Sequence, residues 1–385
     1  MHKIIMDNKL LQELILLRKK IHANPELSGK ETNTSKLIYT FLKTCTPTQI
    51  ITKVGGFGVL AIFDSKKPGE NILFRADIDA LPITETNTFK HASLNFGISH
   101  KCGHDGHTCA LLGFAKLLSK NPPKKGKIIL LFQPAEETGE GAQKVINDPK
   151  FSTIKPNYVF AFHNIPEAPL HEIILKNNSF TAAVKSIIIK IHGKNAHAAE
   201  PEKGTNPALA IAEIIQKFET LSNNNPKSEN FSLITPIHIN MGEIAYGTSA
   251  GYGELRFTLR TWTQEKIEAL SLALVNILQE TSTKHKVKIQ SKWTEEFSAT
   301  INNNKAINTI ILAAERQNLE TVFKKEPFKF GEDFGLFTQQ FKGAMFGIGA
   351  GTKCKPLHNP EYDFPDKILP TAIKLFHQIS LQLLN

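Results

Sequence analysis

The sequence predicts an α/β protein with a mainly parallel sheet, interrupted by a smaller ferredoxin-like α+β insert, and two patterns carry that prediction. Short, wholly apolar runs bounded by turn residues alternate with helical periodicities towards both ends of the chain. Between them the order changes to strand, helix, strand, strand, helix, strand. At 385 residues the chain exceeds one compact core of ordinary size, so more than one domain is expected.

Taken in order, apolar residues at Leu10, Leu11, Leu14, Leu17 and Ile21 repeat with helical spacing, and Lys and Arg gather near the end of that stretch. The residues before it are too short an apolar stretch for a signal peptide. Buried strands are expected at Asn71-Ile72-Leu73-Phe74, Ile128-Ile129-Leu130-Leu131-Phe132, Tyr158-Val159-Phe160-Ala161-Phe162 and Ala344-Met345-Phe346-Gly347-Ile348. Helical patterns run over 109–118 and, at the close, 369–384. The insert reads as strand 184–192, helix 206–221, strands 231–241 and 252–262, helix 264–283 and strand 287–293. Because α/β texture resumes after it, the larger domain is expected to be discontinuous, over 1–181 and 293–385, with the insert at 182–292. The Asn/Lys-rich stretch 222–230 reads as an exposed loop within the insert.

Composition narrows the function classes. With 41% hydrophobic and 21% charged residues the chain is an ordinary globular one. Four scattered cysteines make no disulfide framework, which points to a reducing compartment, the cytoplasm. The net charge of +10 comes from lysines spread along the chain and not interleaved with aromatics, so a solvated basic surface is expected rather than a nucleic-acid partner. No apolar run approaches the roughly 18 residues of a membrane span, so no membrane partner is expected either.

The chemistry lies just beyond the end of each apolar run. After Phe74 comes Arg75-Ala76-Asp77-Ile78-Asp79, after Phe132 comes Gln133-Pro134-Ala135-Glu136-Glu137, after Phe162 comes His163, and after Ile348 a Gly-rich segment leads to His358. In open α/β sheets such strand ends converge on one cleft. Separately, His100-Lys101-Cys102-Gly103-His104-Asp105-Gly106-His107 sets three imidazoles, a thiol and a carboxylate within eight residues, a donor set suited to Zn, Mn, Co or Ni. Cys102, two residues from His104 across a glycine, suits a direct ligand, whereas Cys45, Cys109 and Cys354 read as ordinary thiols. The adjacent carboxylates Glu136 and Glu137 divide two jobs, one binding metal and the other taking a proton from water.

Together these residues resemble the dinuclear metallo-amidohydrolases of the aminoacylase/carboxypeptidase class, which include hippurate hydrolases, indoleacetyl-amino acid hydrolases and N-acetyl-diaminopimelate deacetylases. The likeness spans nearly the whole chain, from Ile21-His22-Ala23-Asn24-Pro25-Glu26-Leu27 and Glu31-Thr32, through Arg75 to Pro82, Cys102 to Thr108 and Gln133 to Glu137, to Leu357-His358-Asn359-Pro360. The resemblance implies a zinc-peptidase-like catalytic domain and two divalent transition-metal ions held by Cys102, His104, Glu137, His163 and His358. It implies Glu136 as general base and Asp79 as the carboxylate that orients a ligand imidazole. In the insert, the run from Gly193 to Pro201 is similar to the family's lid motif, which implies that His197 stabilises the oxyanion, from the neighbouring subunit if the chain forms a homodimer through the insert.

Arg260 keeps a position that could grip a substrate carboxylate with its planar fork, with a purely structural strand arginine as the alternative. Gly247-Thr248-Ser249-Ala250 departs from the Asn-Val-Ile-Pro-like turn usual in the family, so substrates transfer only as a class. The expected reaction is metal-dependent hydrolysis of the amide of a small N-acyl amino acid to a carboxylic acid and a free amino acid. A metallo-dipeptidase or carboxypeptidase, and a catalytically silent binding protein on the same scaffold, are the alternatives.

Overall fold

The computed structural model describes residues 7–384; residues 1–6, which include the stretch judged too short for a signal peptide, lie outside that range. The first helix, Asn8–Ala23, starts where Asp7 accepts a hydrogen bond from the Lys9 amide, an N-cap that satisfies a helix-end donor. It buries Leu10, Leu14 and Ile21 and, less expectedly, Arg18 and His22. The described residues divide into two compact units, one of 7–180, 300–325 and 332–384, the other of 181–299 and 326–331.

The larger unit is built on an eight-stranded sheet. Its strands are β1 (Gln49–Val54), β2 (Gly58–Asp64), β3 (Asn71–Asp77), β4 (Lys127–Gln133), β5 (Tyr158–Ile165) and β6 (Ile173–Leu175), with β15 (Thr321–Phe323) and β16 (Lys342–Gly349) returning late in the chain. The order is β1-β2-β4-β3-β5-β16-β6-β15. The four central strands, β4, β3, β5 and β16, run parallel, as the apolar runs predict. At one edge β1 and β2 form an antiparallel hairpin, because Gly55 and Gly56, both at positive φ, turn the chain in three residues where a parallel return would need a crossover. Strand β2 in turn pairs antiparallel with β4.

Helix His104–Lys120 starts five residues earlier than its periodicity suggests, because the Gly103 N-cap sits at φ +96°. Its buried side chains meet the first helix, the closing helix Leu369–Leu384 and the sheet in one core, where Phe74 touches Phe114, Phe160 and Phe376. Each fully buried ring or Leu contributes about 1.5–3 kcal/mol, so this core is what holds the strand ends in register. Among the described residues no helix is long and apolar enough to cross a membrane.

In the smaller unit β8 (Ala183–His192), β10 (Ser232–Met241), β12 (Tyr252–Thr261) and β13 (Lys288–Phe297) form an antiparallel sheet of order β10-β12-β8-β13. Helices Ala208–Thr220 and Gln264–His285 supply the rest of the ferredoxin-like β-α-β-β-α-β order. Along β12, Leu255, Phe257 and Leu259 are buried in the core shared with the helices, whereas Glu254, Arg256, Thr258 and Arg260 alternate onto the opposite face. A further ribbon, β9 (Ala196–His197) with β11 (Thr248–Ser249), has no counterpart in the sequence reading. Strands β7 (Asn178–Thr181) and β14 (Thr300–Asn302) pair near the passage between the units in sequence.

Candidate metal centre

Strands β3, β4, β5 and β16 deliver their carboxyl ends side by side. Asp77 closes β3 with Asp79 just beyond it, and Glu136 and Glu137 follow β4 after a turn in which Ala135 takes φ +54°. Strand β5 runs further than its apolar core, so His163 lies within the strand, opposite Gly347, and not after it. The loop beyond β16 brings back His358, also left-handed at φ +63° and tied by its amide to the Lys101 carbonyl at 2.8 Å. A left-handed non-glycine residue costs free energy, and both cases flank the cluster.

The donor atoms of the expected ligands converge. Cys102 Sγ is 3.5 Å from His163 Nε2, His104 Nε2 is 3.7 Å from Glu137 Oε1, and His358 Nε2 is 3.8 Å from Glu137 Oε2. Cys102, His104 and His163 form one group that could hold a metal ion, with ligand atoms all within 4.8 Å of one another, and Cys102, Glu137 and His358 form a second. Glu136 joins His104 and Glu137 in a third, with Oε2 3.9 Å from His104 Nε2. Gly103 is required between the first two donors, since a Cβ there would fall 2.3 Å from Asn164 Oδ1.

Hydrogen bonds set which ring nitrogen faces inward. His104 Nδ1 lies 3.0 Å from the Asp79 carbonyl and 3.3 Å from its Oδ1, both acceptors, so Nδ1 carries the proton and Nε2 turns a lone pair to the cluster. His163 Nδ1 donates to the Asn164 carbonyl at 2.8 Å with the same result. The other Asp79 oxygen accepts from the Glu137 amide at 3.0 Å and Ser28 Oγ at 2.6 Å, so one carboxylate fixes a ring and a backbone amide together. Burial would raise the Asp79 pKa, but His104, Ser28 and the Glu137 amide lower it below the ordinary value. Two buried atoms aimed into the cluster, His104 Nε2 and Glu137 Oε1, have no hydrogen-bond partner. Buried polar atoms rarely stay so, and an imidazole lone pair facing a carboxylate oxygen suits a shared cation.

The charge balance agrees. Asp77, Asp79, Glu136, Glu332 and Asp333 are buried around the cluster, and Glu137 is nearly so. One guanidinium, Arg75, pairs with Asp77 at 2.6 Å, Asp333 at 2.8 Å and Glu332 at 2.9 Å. Burial, then Glu332, Glu137 and Asp333, push the Glu136 carboxyl well above the carboxylate range, and burial carries Glu137 up to about 8. Burial, with Glu137 and Glu136 beside it, raises the Cys102 thiol. Such crowding of like charge is stable only with cations, and thiolate, imidazole and carboxylate donors suit borderline divalent transition metals, so the residues fit a dinuclear site.

Several members of this network carried no role in the sequence reading. Asp77 accepts from His107 Nδ1 at 2.6 Å, whose other nitrogen lies 2.6 Å from Asn164 Oδ1. Asp333 accepts from both Gln133 and Arg75, and its amide reaches Glu136 Oε1 at 3.4 Å. Arg75 had a readable signal, a charge inside an apolar strand; Glu332 and Asp333, more than 250 residues away in sequence, had none.

The two expected residues of the insert belong to the smaller unit. His197 lies in β9, paired with Thr248 of the departing segment, and its Nδ1 accepts the Ala199 amide at 3.0 Å. A ring accepting at Nδ1 carries its proton at Nε2, so His197 offers an exposed N–H donor. Arg260 spends Nη1 on the Lys329 carbonyl at 2.7 Å, which leaves part of its fork for another acceptor.

Comparisons with known proteins agree with this geometry. The chain is 32% identical over 381 residues to an N-acetyl-L-cysteine deacetylase of Bacillus subtilis, spanning 98% of this chain and 89% of that protein. It is 29% identical to a hippurate hydrolase of Campylobacter jejuni, spanning 96% of each. Among solved structures, a dinuclear metal-binding peptidase of the M20 family from Bacillus subtilis superposes with a TM-score of 0.83 at 27% identity, covering 98% of this chain and 99% of that one. The family model for peptidase family M20/M25/M40 matches residues 73–382, a span that holds the carboxyl ends of β3, β4, β5 and β16 and every donor of the cluster, and the chain belongs to that family.

Proposed function

We propose that the chain is a metal-dependent amidohydrolase that cleaves N-acyl amino acids into a carboxylic acid and a free amino acid. The observation that carries this reading is the convergence of His104 Nε2 and Glu137 Oε1, buried and without hydrogen-bond partners, beside a second carboxylate, Glu136. Similarity to a deacetylase and a hippurate hydrolase, both acting on N-acylated amino acids by their names, supports the substrate class.

Cys102, His104, Glu137, His163 and His358 would hold two divalent ions, of Zn, Mn, Co or Ni, whose Lewis acidity would acidify a water and polarise the amide carbonyl. Asp79 keeps the His104 ring turned inward. Glu136 removes the proton of the attacking water and returns it to the leaving nitrogen, since an amide anion is too basic to leave unprotonated. His197 presents Nε2–H to the oxyanion, and the free part of the Arg260 fork receives the substrate carboxylate.

A homodimer through the smaller unit is part of the proposal. Strand β10 is an edge of its sheet and exposes Ile237 and Ile239, and an apolar edge strand left open invites aggregation, whereas a second copy would cover it. A reducing compartment, the cytoplasm, is part of the same reading, supported by four cysteines that are all free. The test is a substrate panel with metal-reconstituted protein: N-acetyl and N-benzoyl amino acids should be hydrolysed faster than dipeptides. Faster dipeptide cleavage makes the chain a peptidase, and no hydrolysis by fully metallated protein overturns the enzymatic reading.

A further inference from the structure

Beside the metal centre lies a second buried cluster of charged side chains that the mechanism does not use. His22, on the first helix, is fully buried with a carboxylate oxygen at each ring nitrogen: Asp105 Oδ2 at 2.9 Å from Nδ1 and Glu85 Oε1 at 3.2 Å from Nε2. Since neither oxygen can donate while ionised, both nitrogens do, and the ring is an imidazolium. Asp105 directly follows His104, and Glu85 also pairs with the buried ammonium of Lys101, which directly precedes Cys102. The Lys101 carbonyl in turn accepts the His358 amide.

We propose that His22 is a positioning residue of the metal centre, an ionic rivet from the first helix that holds both flanks of the turn Cys102-Gly103-His104 and, through Lys101, the backbone of His358. It touches none of the donors, so it acts only through Asp105, Glu85 and Lys101. The cluster is not a further metal site, although His22, Asp105 and Asp363 are near enough to form one. Arg18 fills that position, with Nη1 3.2 Å from Asp105 and 2.5 Å from Asp363, and Nε 2.8 Å from Asp366. The geometric demand is high because each donor must hold its place to within a few tenths of an ångström. The turn itself cannot supply that stiffness, since its centre is a glycine at φ +96°.

The inference rests on the metal-binding reading, and the experiment separates the two. Metal-free wild type, His22→Gln and Glu85→Gln are titrated with Mn²⁺ and Zn²⁺ against a chelator, and the Co²⁺ forms are compared by visible spectroscopy. Leu14→Ala serves as control, because it removes core packing from the same helix, one turn before Arg18, and changes none of the charged groups of the cluster. The expected result for His22→Gln is about 10- to 100-fold weaker binding and altered Co²⁺ bands, the range typical of lost support behind a ligand, with Leu14→Ala binding like wild type. If His22→Gln does not fold, Glu85→Gln, which keeps the shape and removes the charge, carries the same comparison. Unchanged affinity and spectrum in the folded variants overturns the inference alone, as does equal weakening by Leu14→Ala. A wild type that binds no metal overturns the metal reading and this inference with it.

Discussion

Replacing Asp79 by Asn changes no shape and removes one charge, yet the hydrogen bonds around it leave an amide no good orientation. Oδ1 faces His104 Nδ1, and Oδ2 receives the Glu137 amide and Ser28 Oγ. The Asn nitrogen must therefore face either the His104 N–H or the Glu137 N–H, donor against donor. Stranding one buried donor costs about 1–3 kcal/mol, and the surviving bonds lose the charge assistance that is worth about as much again. A combined loss of about 3 kcal/mol, spent partly on folding and partly on holding the ring, corresponds to roughly 100-fold if it all reaches metal binding. Asp79→Asn should thus bind metal about 10- to 100-fold more weakly, with a lower melting temperature, and regain much of its turnover at high metal concentration. The assay is chelator competition alongside activity as a function of added Mn²⁺. Wild-type affinity in a folded Asp79→Asn protein would refute the argument that this carboxylate sets the ring.

Glu136→Gln should keep its full metal content and lose about 10²- to 10⁴-fold or more in turnover, because the amide keeps the shape and cannot take the proton; activity within about tenfold of wild type would remove Glu136 from the mechanism. Chelators should abolish activity and Mn²⁺, Co²⁺, Ni²⁺ or Zn²⁺ restore it, with Cys102→Ser binding more weakly since an alcohol is a poorer ligand than a thiolate; full activity in chelator by protein free of metal would rule out the cluster. His197→Ala should lower the maximal rate about 10²- to 10³-fold without changing metal content, and mixing it with Glu136→Gln should restore part of the activity if the donor is supplied by a partner subunit; mixed dimers that form and stay inactive would exclude that arrangement. Burial alone would lower the pKa of His22, but hydrogen bonds to Asp105 and Glu85, with the charges of Asp105 and Asp363, raise it from 6.5 to about 9, while the neighbouring rings of His91 and His100 are held below the ordinary histidine value and stay neutral there. Its stabilisation, about 3 kcal/mol, is then fully present below pH 6.5 and disappears as pH rises through about 9, so urea unfolding should show the wild type's advantage over His22→Gln at pH 6 and little of it at pH 10. An advantage that persists undiminished at pH 10 would contradict the imidazolium.

What the sequence disclosed and what it withheld divide along one physical line. A parallel strand buried on both faces must be written as an unbroken apolar run, and its carboxyl end must open on the cleft, so Asp79, Glu136, Glu137 and His163 could be placed on a common site from one-dimensional pattern alone. The ferredoxin-like order was legible for the same reason: β8, β10 and β12 are ten-residue strands, long enough for their composition and spacing to register. The two-residue strands β9 and β11 have no period to read, although they pair His197 with the very segment that departs from the family. The roles of the cluster residues came through resemblance, because a ligand and a satisfied core histidine look alike in one dimension. Least legible were the partners that hold the ligands in place. Arg75 with Asp333, and Arg18 and His22 with Asp105, are joined across 258, 87 and 83 residues; Arg75 stands out as a charge in an apolar strand and Asp105 as part of the donor-rich run, but nothing in one dimension pairs either with its partner. Only the fold shows them sealed from water, where an ion pair missing one member leaves a buried charge uncompensated. The residues hardest to find from sequence are therefore among those whose single substitution should disturb the centre most, since their whole effect depends on a partner that the sequence does not name.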